Sequence, residues 1–188
     1  MAAKKKPKKK TAQSARKPAR ATSGRKARAR RAKKARSASQ SPHGLTPMLT
    51  FKSAGAALAF YKEAFGGKEL YRLTEPSGKI GHAEMKIGNS IIMLAEEYPD
   101  MALFAADHYG GIPMRLHIAV KDVDRVFERA IQAGAQATRP VADQFYGWRS
   151  GNIKDPFGYH WIISTQVENV SPKEMQKRWK KMFENAPQ

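Results

Sequence analysis

Five side chains with acid–base or anion-binding chemistry occur in three short segments in which apolar and polar residues alternate. His82 and Glu84 lie in the first segment, Arg115 and His117 in the second, and His160 in the third. Residues two apart in a β-strand point to the same face, so the members of each pair share a face. Arginine binds a carboxylate or phosphonate through two parallel hydrogen bonds, and histidine and glutamate transfer protons. These residues therefore predict a site for a small anionic ligand.

The same five residues allow two further interpretations. Histidine and glutamate also bind divalent metals, and a site built from His82, Glu84 and His117 has suitable residue types but no known signature spacing. Alternatively, Arg115 and Glu84 form a structural ion pair, because ion pairs that only stabilise a fold also occur in such places. The histidines are then structural side chains with hydrogen-bond partners inside the fold.

An aromatic and cationic stretch follows later in the chain, at Phe145, Tyr146, Trp148 and Arg149. Such side chains can line the mouth of a cavity and stack on a planar ligand. An ordinary half-buried strand would have the same composition. The sequence favours neither interpretation over the other.

The periodicity of the apolar residues predicts the elements that must position these side chains. In Ala54–Phe65 the apolar residues recur at helical spacing and form one stripe, and Gly66-Gly67 follows as a helix end. Gly88-Asn89 is a tight hairpin signal between two alternating runs. The first module is predicted as one strand, one helix and three strands, over Pro47–Phe51, Ala54–Phe65, Glu69–Thr74, Ile80–Ile87 and Ser90–Ala95.

The same order of elements recurs from Arg115 onwards. Phe60 and Phe127, one in each predicted helix, are 67 residues apart, and the second helix again ends in a glycine, Gly134. The second module is predicted over Arg115–Val120, Val123–Ala133, Gln136–Val141, Gly147–Ile153 and Tyr159–Ser164. Residues 96–113 are expected to form a loop or short helix between the modules, and Ser171–Phe183 a terminal helix. A β-α-β-β-β unit used twice predicts the α+β class.

Positive charge is concentrated at the N-terminal end of the chain. The 188 residues carry 35 Lys and Arg, 16 Asp and Glu and a net charge of +19, yet no acidic residue precedes Glu63. A segment built mainly from Lys, Arg, Ala, Pro, Ser and Thr cannot offset the entropy of ordering the chain. We expect a disordered tail over 1–44 and a globular domain over 45–175, with modules at about 45–96 and 114–166 and a C-terminal helix over 171–188.

Dense positive charge of this kind suits polyanions, with an affinity that falls steeply as salt rises. No aromatic residue is interleaved, so bases cannot stack and binding to DNA or RNA would be independent of sequence. The alternative is a solubilising extension without a dedicated partner. Anionic lipid is disfavoured because no acyl or amphipathic anchor accompanies the charge. The cations expected to contact nucleic acid are Lys4, Lys5, Lys6, Lys8, Lys9, Lys10, Arg25, Lys26, Arg28, Arg30, Arg31, Lys33, Lys34 and Arg36.

The residue types that are missing exclude several classes of protein. The chain has no Cys, which excludes disulfides, cysteine-based zinc and iron–sulfur sites and a cysteine nucleophile. No apolar run approaches the ~18–20 residues that a membrane-spanning helix needs, so no membrane partner is expected. We expect a cytoplasmic protein, or one in the nucleoid or nucleus if the tail binds nucleic acid.

Several short motifs occur in a fixed order along the two modules, namely Leu58-Ala59-Phe60-Tyr61, Phe65-Gly66-Gly67, Val120-Lys121-Asp122-Val123-Asp124 and Asp155-Pro156-Phe157-Gly158. Their order and spacing resemble the vicinal oxygen chelate superfamily of glyoxalase I, bleomycin and fosfomycin resistance proteins and extradiol dioxygenases. Gly81-His82-Ala83-Glu84, Asp143-Gln144-Phe145-Tyr146-Gly147 and Val170-Ser171-Pro172 are similar to its PhnB-like subgroup. The resemblance covers about residues 45–175. It implies a curved eight-stranded sheet around a cavity, and a homodimer.

The resemblance also implies where a metal would bind. Metal-using members take one His or Gln from the first strand of each module and one Glu from the last strand. Aligning the strand-to-helix junctions puts these positions at Thr46, Met93, Arg115 and Ile162. None of the four is a typical ligand for a divalent ion. We therefore expect no metal cofactor.

Alternation along the strands extends this alignment to other cavity residues. If Arg115 and Ile162 face inward, His117 and His160 do so too. The pattern does not decide whether the shared face of His82 and Glu84 is the inner one. The residues expected to bind a ligand are Arg115, His117, His160, Thr46, Met93, Trp148 and Arg149, and the catalytic candidates are His82, Glu84 and His117.

Three functions remain open at this point. The first is metal-independent binding of a small molecule in a cavity, with the basic tail binding polyanions. The second is a lyase- or glyoxalase-like enzyme with a relocated metal or a His/Glu acid–base pair. The third is a nucleic-acid-associated protein that uses its tail, with the domain as a dimerisation handle.

Overall fold

The computed structural model describes residues 44–184, so the predictions for the basic tail fall almost entirely outside the described residues. The elements in chain order are β1 (Met48–Phe51), α1 (Ala54–Phe65), β2 (Lys68–Thr74), β3 (Ile80–Ile87), β4 (Ser90–Glu96), β5 (Arg115–Ala119), α2 (Val123–Gln132), β6 (Gln136–Asp143), β7 (Trp148–Lys154), β8 (His160–Gln166) and α3 (Pro172–Glu184). Two short 3-10 helices, Pro99–Met101 and Ala106–Tyr109, occupy the segment between the modules. None of the described helices is both long and apolar enough to cross a bilayer.

The predicted order of elements is confirmed, and most bounds differ by only one or two residues. Helix α1 and strand β3 have the predicted bounds. Strand β6 continues to Asp143, beyond the predicted end at Val141, because Ala142 and Asp143 pair with Ser150 and Arg149 of β7. This strand contains Pro140 and lies at the edge of its sheet, where a residue without an N–H is tolerated.

The eight strands form two four-stranded sheets. The order is β1-β4-β3-β2 in the N-terminal sheet and β5-β8-β7-β6 in the C-terminal sheet. In both sheets the first strand of the module pairs parallel to the last, and the other pairs are antiparallel. Within residues 44–184 no hydrogen-bonded ladder joins the two sheets, so the tandem modules are present but the strands do not run as one eight-stranded sheet.

Equivalent positions in the two modules are 69 residues apart. Ser53 caps α1 and Asp122 caps α2, each by accepting a hydrogen bond from the backbone N–H three residues later. The parallel pair Thr50–Ala95 likewise recurs as Ala119–Ser164. The alignment through the strand-to-helix junctions, which matches Met93 with Ile162, uses this spacing. The 67-residue spacing of Phe60 and Phe127 does not relate equivalent positions.

Each sheet buries the face on which its helix packs. Side chains on this face, such as Leu94, Met85, Ile153 and Ile163, are at most 1% exposed and contribute roughly 1.5–3 kcal/mol each. The partly buried Leu116 joins the same core, as the alternation predicts. Helices α1 and α2 also pack against each other between the modules. The residues that alternate with these buried ones along each strand point to the opposite face of the sheet, here called its open face.

The Asp155 carboxylate joins the two modules in the core. It is 4% exposed and accepts hydrogen bonds from the Tyr61 hydroxyl at 2.7 Å and the Trp161 indole N–H at 2.9 Å. Its other oxygen accepts the backbone N–H groups of Phe157 and Tyr159. Burial raises the pKa of Asp155 above its usual value, and the donated hydrogen bonds act in the opposite direction.

Tyr159 makes a second connection between the modules. Its hydroxyl donates to the Thr50 carbonyl at 2.8 Å and accepts the Thr50 N–H at 2.9 Å. Burial raises the pKa of Tyr159 to about 12, so the phenol stays protonated and can keep donating. The turn predicted at Asp155–Gly158 therefore attaches the second module to both α1 and β1.

We expect Asp155→Ala to lower the free energy of unfolding by about 3–5 kcal/mol, because four buried donors lose their acceptor. Tyr61→Phe removes only one of these hydrogen bonds and should cost about 1 kcal/mol. Urea denaturation followed by circular dichroism would measure both. Equal losses in the two variants would show that the Asp155 carboxylate is not the central acceptor.

Candidate functional site

The open face of the C-terminal sheet presents its side chains in rows, because register partners on neighbouring strands point to the same side. The first row consists of Arg115, His160, Lys154 and Gln136, on β5, β8, β7 and β6. The second row consists of His117, Ile162, Asn152 and Arg139 on the same four strands. Arg115 and Lys154 are exposed and His160 is half-buried. The structure thus places Arg115, His117 and His160 on one face, as alternation predicts.

His117 is positioned by two neighbours on this face. Its Nε2 atom lies 2.6 Å from the Oγ atom of Ser164, which is only 2% exposed. The His117 ring also meets the Trp148 ring edge-on, with 6.1 Å between the centroids. Because Ser164 occupies one ring nitrogen, the other nitrogen is the one left to meet a ligand.

A second group of polar side chains lies on the open face of the N-terminal sheet. The Tyr71 hydroxyl donates to Glu84 Oε1 at 2.9 Å, and His82 Nε2 lies 3.8 Å from the same oxygen. The hydrogen bond to Glu84 raises the pKa of Tyr71. Glu84 is the register partner of Met93, and the alternate residues Ala83 and Met85 are buried. This placement decides the question that alternation left open, because His82 and Glu84 lie on the open face.

The two groups belong to different sheets, and no hydrogen bond or ion pair joins them among the described residues. Glu84 bonds to Tyr71, and Arg115 has no carboxylate within ion-pair distance in the described part of the chain. The structural ion pair between Arg115 and Glu84 is therefore not formed. His82 and Glu84 likewise do not share a cluster with His117.

The four positions that the resemblance assigns to a metal carry no imidazole or carboxylate in this chain. Met93 and Ile162 lie on the open faces with apolar or thioether side chains, and Arg115 brings a positive charge. Thr46, just before β1, offers only a hydroxyl. A divalent ion needs imidazole or carboxylate donors at fixed distances. Within residues 44–184 no group of three or more His, Asp or Glu side chains is arranged to hold one.

Arg149 is directed away from the open face. Its guanidinium binds both carboxylate oxygens of Asp124 on α2, at 2.7 and 2.8 Å, and Asp143 at 3.1 Å. These hydrogen bonds raise the pKa of Arg149 and lower that of Asp124. Phe145 packs against Trp179 of α3, with 5.2 Å between ring centroids. Of the aromatic and cationic stretch, Trp148 is the side chain placed beside His117.

Sequence reasoning missed several residues of these faces. Lys154 joins Arg115 only through the register of β7, β8 and β5, and Ser164 meets His117 in the same way. Tyr71 reaches Glu84 across a register shift between Glu69 and Tyr71 in β2. No local pattern encodes such pairings between strands. Alternation within β8 could have grouped Ser164 with His160, but not with His117.

A cavity of about 450 Å³ lies at the end of the C-terminal sheet, between the segment linking the modules and the Asp155–Gly158 turn. Its wall includes Gln136 and Lys154, the members of the first row that lie on β6 and β7. None of the residues predicted to bind a ligand lines it. The volume suits a small ligand, but Lys52 and Asp107 of its wall already pair with each other, and the Asp155 carboxylate is hydrogen-bonded to Tyr61 and Trp161.

Comparison with known families gives one match over most of the described fold. The model of the Glyoxalase/Bleomycin resistance protein/Dioxygenase superfamily matches residues 46–163. An uncharacterised protein of Mycobacterium tuberculosis is 38% identical over 135 residues, which are 70% of this chain and 79% of that protein. A protein of Mycobacterium bovis is also 38% identical over 70% of this chain, and the match covers 89% of that protein.

Solved structures show the same fold. TioX from Micromonospora sp. ML1 is 25% identical, with a TM-score of 0.52, over 68% of this chain and 99% of its own. A PhnB protein from Bacillus cereus is 17% identical, with a TM-score of 0.53, over 65% of this chain and 99% of its own. The resemblance drawn from the sequence motifs is confirmed by these matches.

Proposed function

The chain belongs to the glyoxalase/bleomycin resistance protein/dioxygenase superfamily, and we propose that it binds a small molecule on the open faces of its sheets without a metal at the family's metal positions. This proposal rests on the chemistry of the side chains at those positions. Aligning the strand-to-helix junctions with the family pattern assigns Thr46, Met93, Arg115 and Ile162 to the positions where metal-using members have histidine, glutamine or glutamate. A fixed cation at one of the four would repel a divalent ion.

The neighbouring side chains support binding rather than an inert surface. Arg115 is exposed without a carboxylate partner in the described part of the chain, and His117 is held in place by Ser164. Trp148 adds an aromatic surface beside them. Arginine for an anionic group, a positioned imidazole and an aromatic ring are the usual elements of a small-molecule site.

We expect the melting temperature of the metal-stripped full chain to stay unchanged when Zn²⁺, Ni²⁺, Mn²⁺ or Fe²⁺ is added. A ligand that binds only the folded state adds about 2.7 kcal/mol of stability at a hundredfold excess over its Kd, which a thermal melt detects. A combined variant with Thr46→His, Met93→Glu, Arg115→His and Ile162→Glu restores suitable donors and serves as the positive control. A clear rise for the unmodified chain would overturn the metal-independent proposal.

The Tyr71–Glu84–His82 group supports an enzyme as the second candidate function. A carboxylate that accepts a phenol hydrogen bond beside an imidazole can transfer a proton to or from a bound substrate. In this case the ligand would be turned over rather than held. Metal-dependent stabilisation in the melting experiment would favour the version of this enzyme with a relocated metal.

A second copy of the chain is the partner that we propose for the exposed apolar side chains on the open face of the N-terminal sheet. Met48 is 52% exposed and Leu73 61% exposed on the N-terminal sheet, and apolar side chains of this size favour burial. We expect sedimentation equilibrium to give twice the 21.0 kDa chain mass. Leu73→Glu should weaken this dimer, whereas Met101→Glu in the linking segment should not. A monomer at all concentrations would contradict the proposal.

The basic tail supports a polyanion-binding function alongside the ligand site. Seventeen Lys and Arg precede residue 43 without a single acidic residue, whereas the remainder of the chain has a nearly balanced charge. We propose that the tail contacts DNA or RNA phosphates without sequence preference. The globular part then acts as a dimeric handle that brings two tails together.

Deleting residues 1–42 should abolish binding to duplex DNA, because most of the net charge is lost. For the full chain, two duplexes of unrelated sequence should bind equally, and log K should fall with log salt by about 0.9 per phosphate contact. Fluorescence anisotropy would measure both, and circular dichroism would check that the 43–188 fragment is folded. Equal binding by that fragment at moderate salt would contradict a role for the tail.

A further inference from the structure

The cations on the open face of the C-terminal sheet have no acidic counterpart there. Of the residues in β5, β6, β7 and β8, only Asp143 is acidic, and it binds Arg149, which also holds Asp124 of the helix. Arg115, Lys154 and Arg139 have no carboxylate within ion-pair distance in residues 44–184. Arg149, which lies on the same strand as Lys154 but points to the helix side, differs from these cations because two carboxylates neutralise it.

Strand spacing fixes how far apart these cations lie. Arg115, His160 and Lys154 are consecutive register partners on β5, β8 and β7. Neighbouring strands are about 4.8 Å apart, so the row spans about 10 Å at the backbone. Flexible Arg and Lys side chains can converge from that distance on one group, with the His160 imidazole between them. Arg139 stands in the next row, on the edge strand β6.

Beside the cations lies an apolar and aromatic surface. Ile162 is the register partner of His117 in the second row, and the Trp148 ring packs edge-on against His117. In the next row along this face, Ser164 of β8 pairs with Ser150 of β7, and both side chains are almost fully buried. A planar hydrocarbon ring fits such a surface, whereas a uniformly charged ligand would gain nothing from it.

We propose that the ligand of this face is a dianion joined to a planar apolar body, such as an aryl phosphate or aryl phosphonate. Arg115 binds two of its oxygens side by side, and Lys154 and His160 bind the remaining negative charge. The ring lies over Ile162 and against Trp148. This inference rests on the proposed small-molecule function and adds Lys154 to the binding residues. A dianion also relieves the mutual repulsion of the unpaired cations, which a neutral ligand cannot do.

Phenyl phosphate is the probe, and isothermal titration calorimetry with the full chain measures its Kd at fixed salt. Arg115→Gln and Lys154→Gln should each weaken binding about tenfold, as expected for the loss of one charge-assisted contact. Lys62→Gln is the matched control, because Lys62 is an exposed residue of α1, away from both open faces, and its loss changes the net charge equally. Its Kd for phenyl phosphate should stay within about twofold of that of the unmodified chain.

The charge and the ring of the probe are tested separately. Benzoate has one negative charge and should bind about tenfold more weakly than phenyl phosphate. Inorganic phosphate, which lacks the ring, should also bind more weakly, and Trp148→Ala should remove that difference. The substituted side chains are exposed or half-buried without ion pairs, and unchanged melting temperatures without probe would confirm that the variants fold.

Two outcomes would overturn the inference. Equal weakening by Lys62→Gln and Arg115→Gln would show that the probe responds only to net charge, including that of the tail. Failure of phenyl phosphate to bind, or binding of benzoate with equal affinity, would show that the face does not select a dianion. If a neutral aromatic such as benzamide then raised the melting temperature, the proposed binding function would stand without the dianion. Metal-dependent stabilisation would remove the metal-independent function while leaving the effect of Arg115→Gln on phenyl phosphate intact.

Discussion

The Asp155 carboxylate accepts hydrogen bonds from Tyr61 of the first module and from Trp161 and two backbone N–H groups of the second. A buried carboxylate is tolerated only when its oxygens are satisfied, so both modules must dock in this arrangement for the charge to be stable. Aromatic rings pack around it, with Tyr61 and Trp161 5.3 Å apart between centroids. The orientation of one module against the other therefore depends on this group.

Docking through the helix faces has a consequence for function. Because α1, α2 and the buried face of each sheet form the core, the open faces keep their polar side chains accessible. These faces differ in chemistry, since the N-terminal one carries Glu84, His82 and exposed apolar residues. The C-terminal one carries Arg115 and Lys154, and the one acidic residue of its four strands, Asp143, binds Arg149. The N-terminal face therefore offers hydrogen-bond acceptors, and the C-terminal face offers cations.

The chain has the superfamily's fold, with Thr46, Met93, Arg115 and Ile162 at the positions that the sequence resemblance assigns to a metal. Met93 and Ile162 occupy equivalent places in the two modules, as their parallel pairing with Met48 and His117 shows. Arg115 brings a charge of the same sign as the metal that relatives hold. Arg149 and Arg178 are each neutralised by a pair of carboxylates. Arg115 lacks such partners, which is why it is available to a ligand.

The sequence by itself determined the elements and their faces, since both depend on interactions within a few residues. The apolar stripe of α1, its Gly66 cap and the alternation that buries Trp161 and exposes His160 to the other side all follow from local periodicity. Only the tertiary structure decided which strands are neighbours. Strand pairing puts Lys154 in the same row as Arg115 and brings Ser164 within hydrogen-bond distance of His117. The packing of α2 on its sheet brings Asp124 to Arg149. These contacts depend on register and on module docking, which arise from long-range packing and leave no signal in the local pattern.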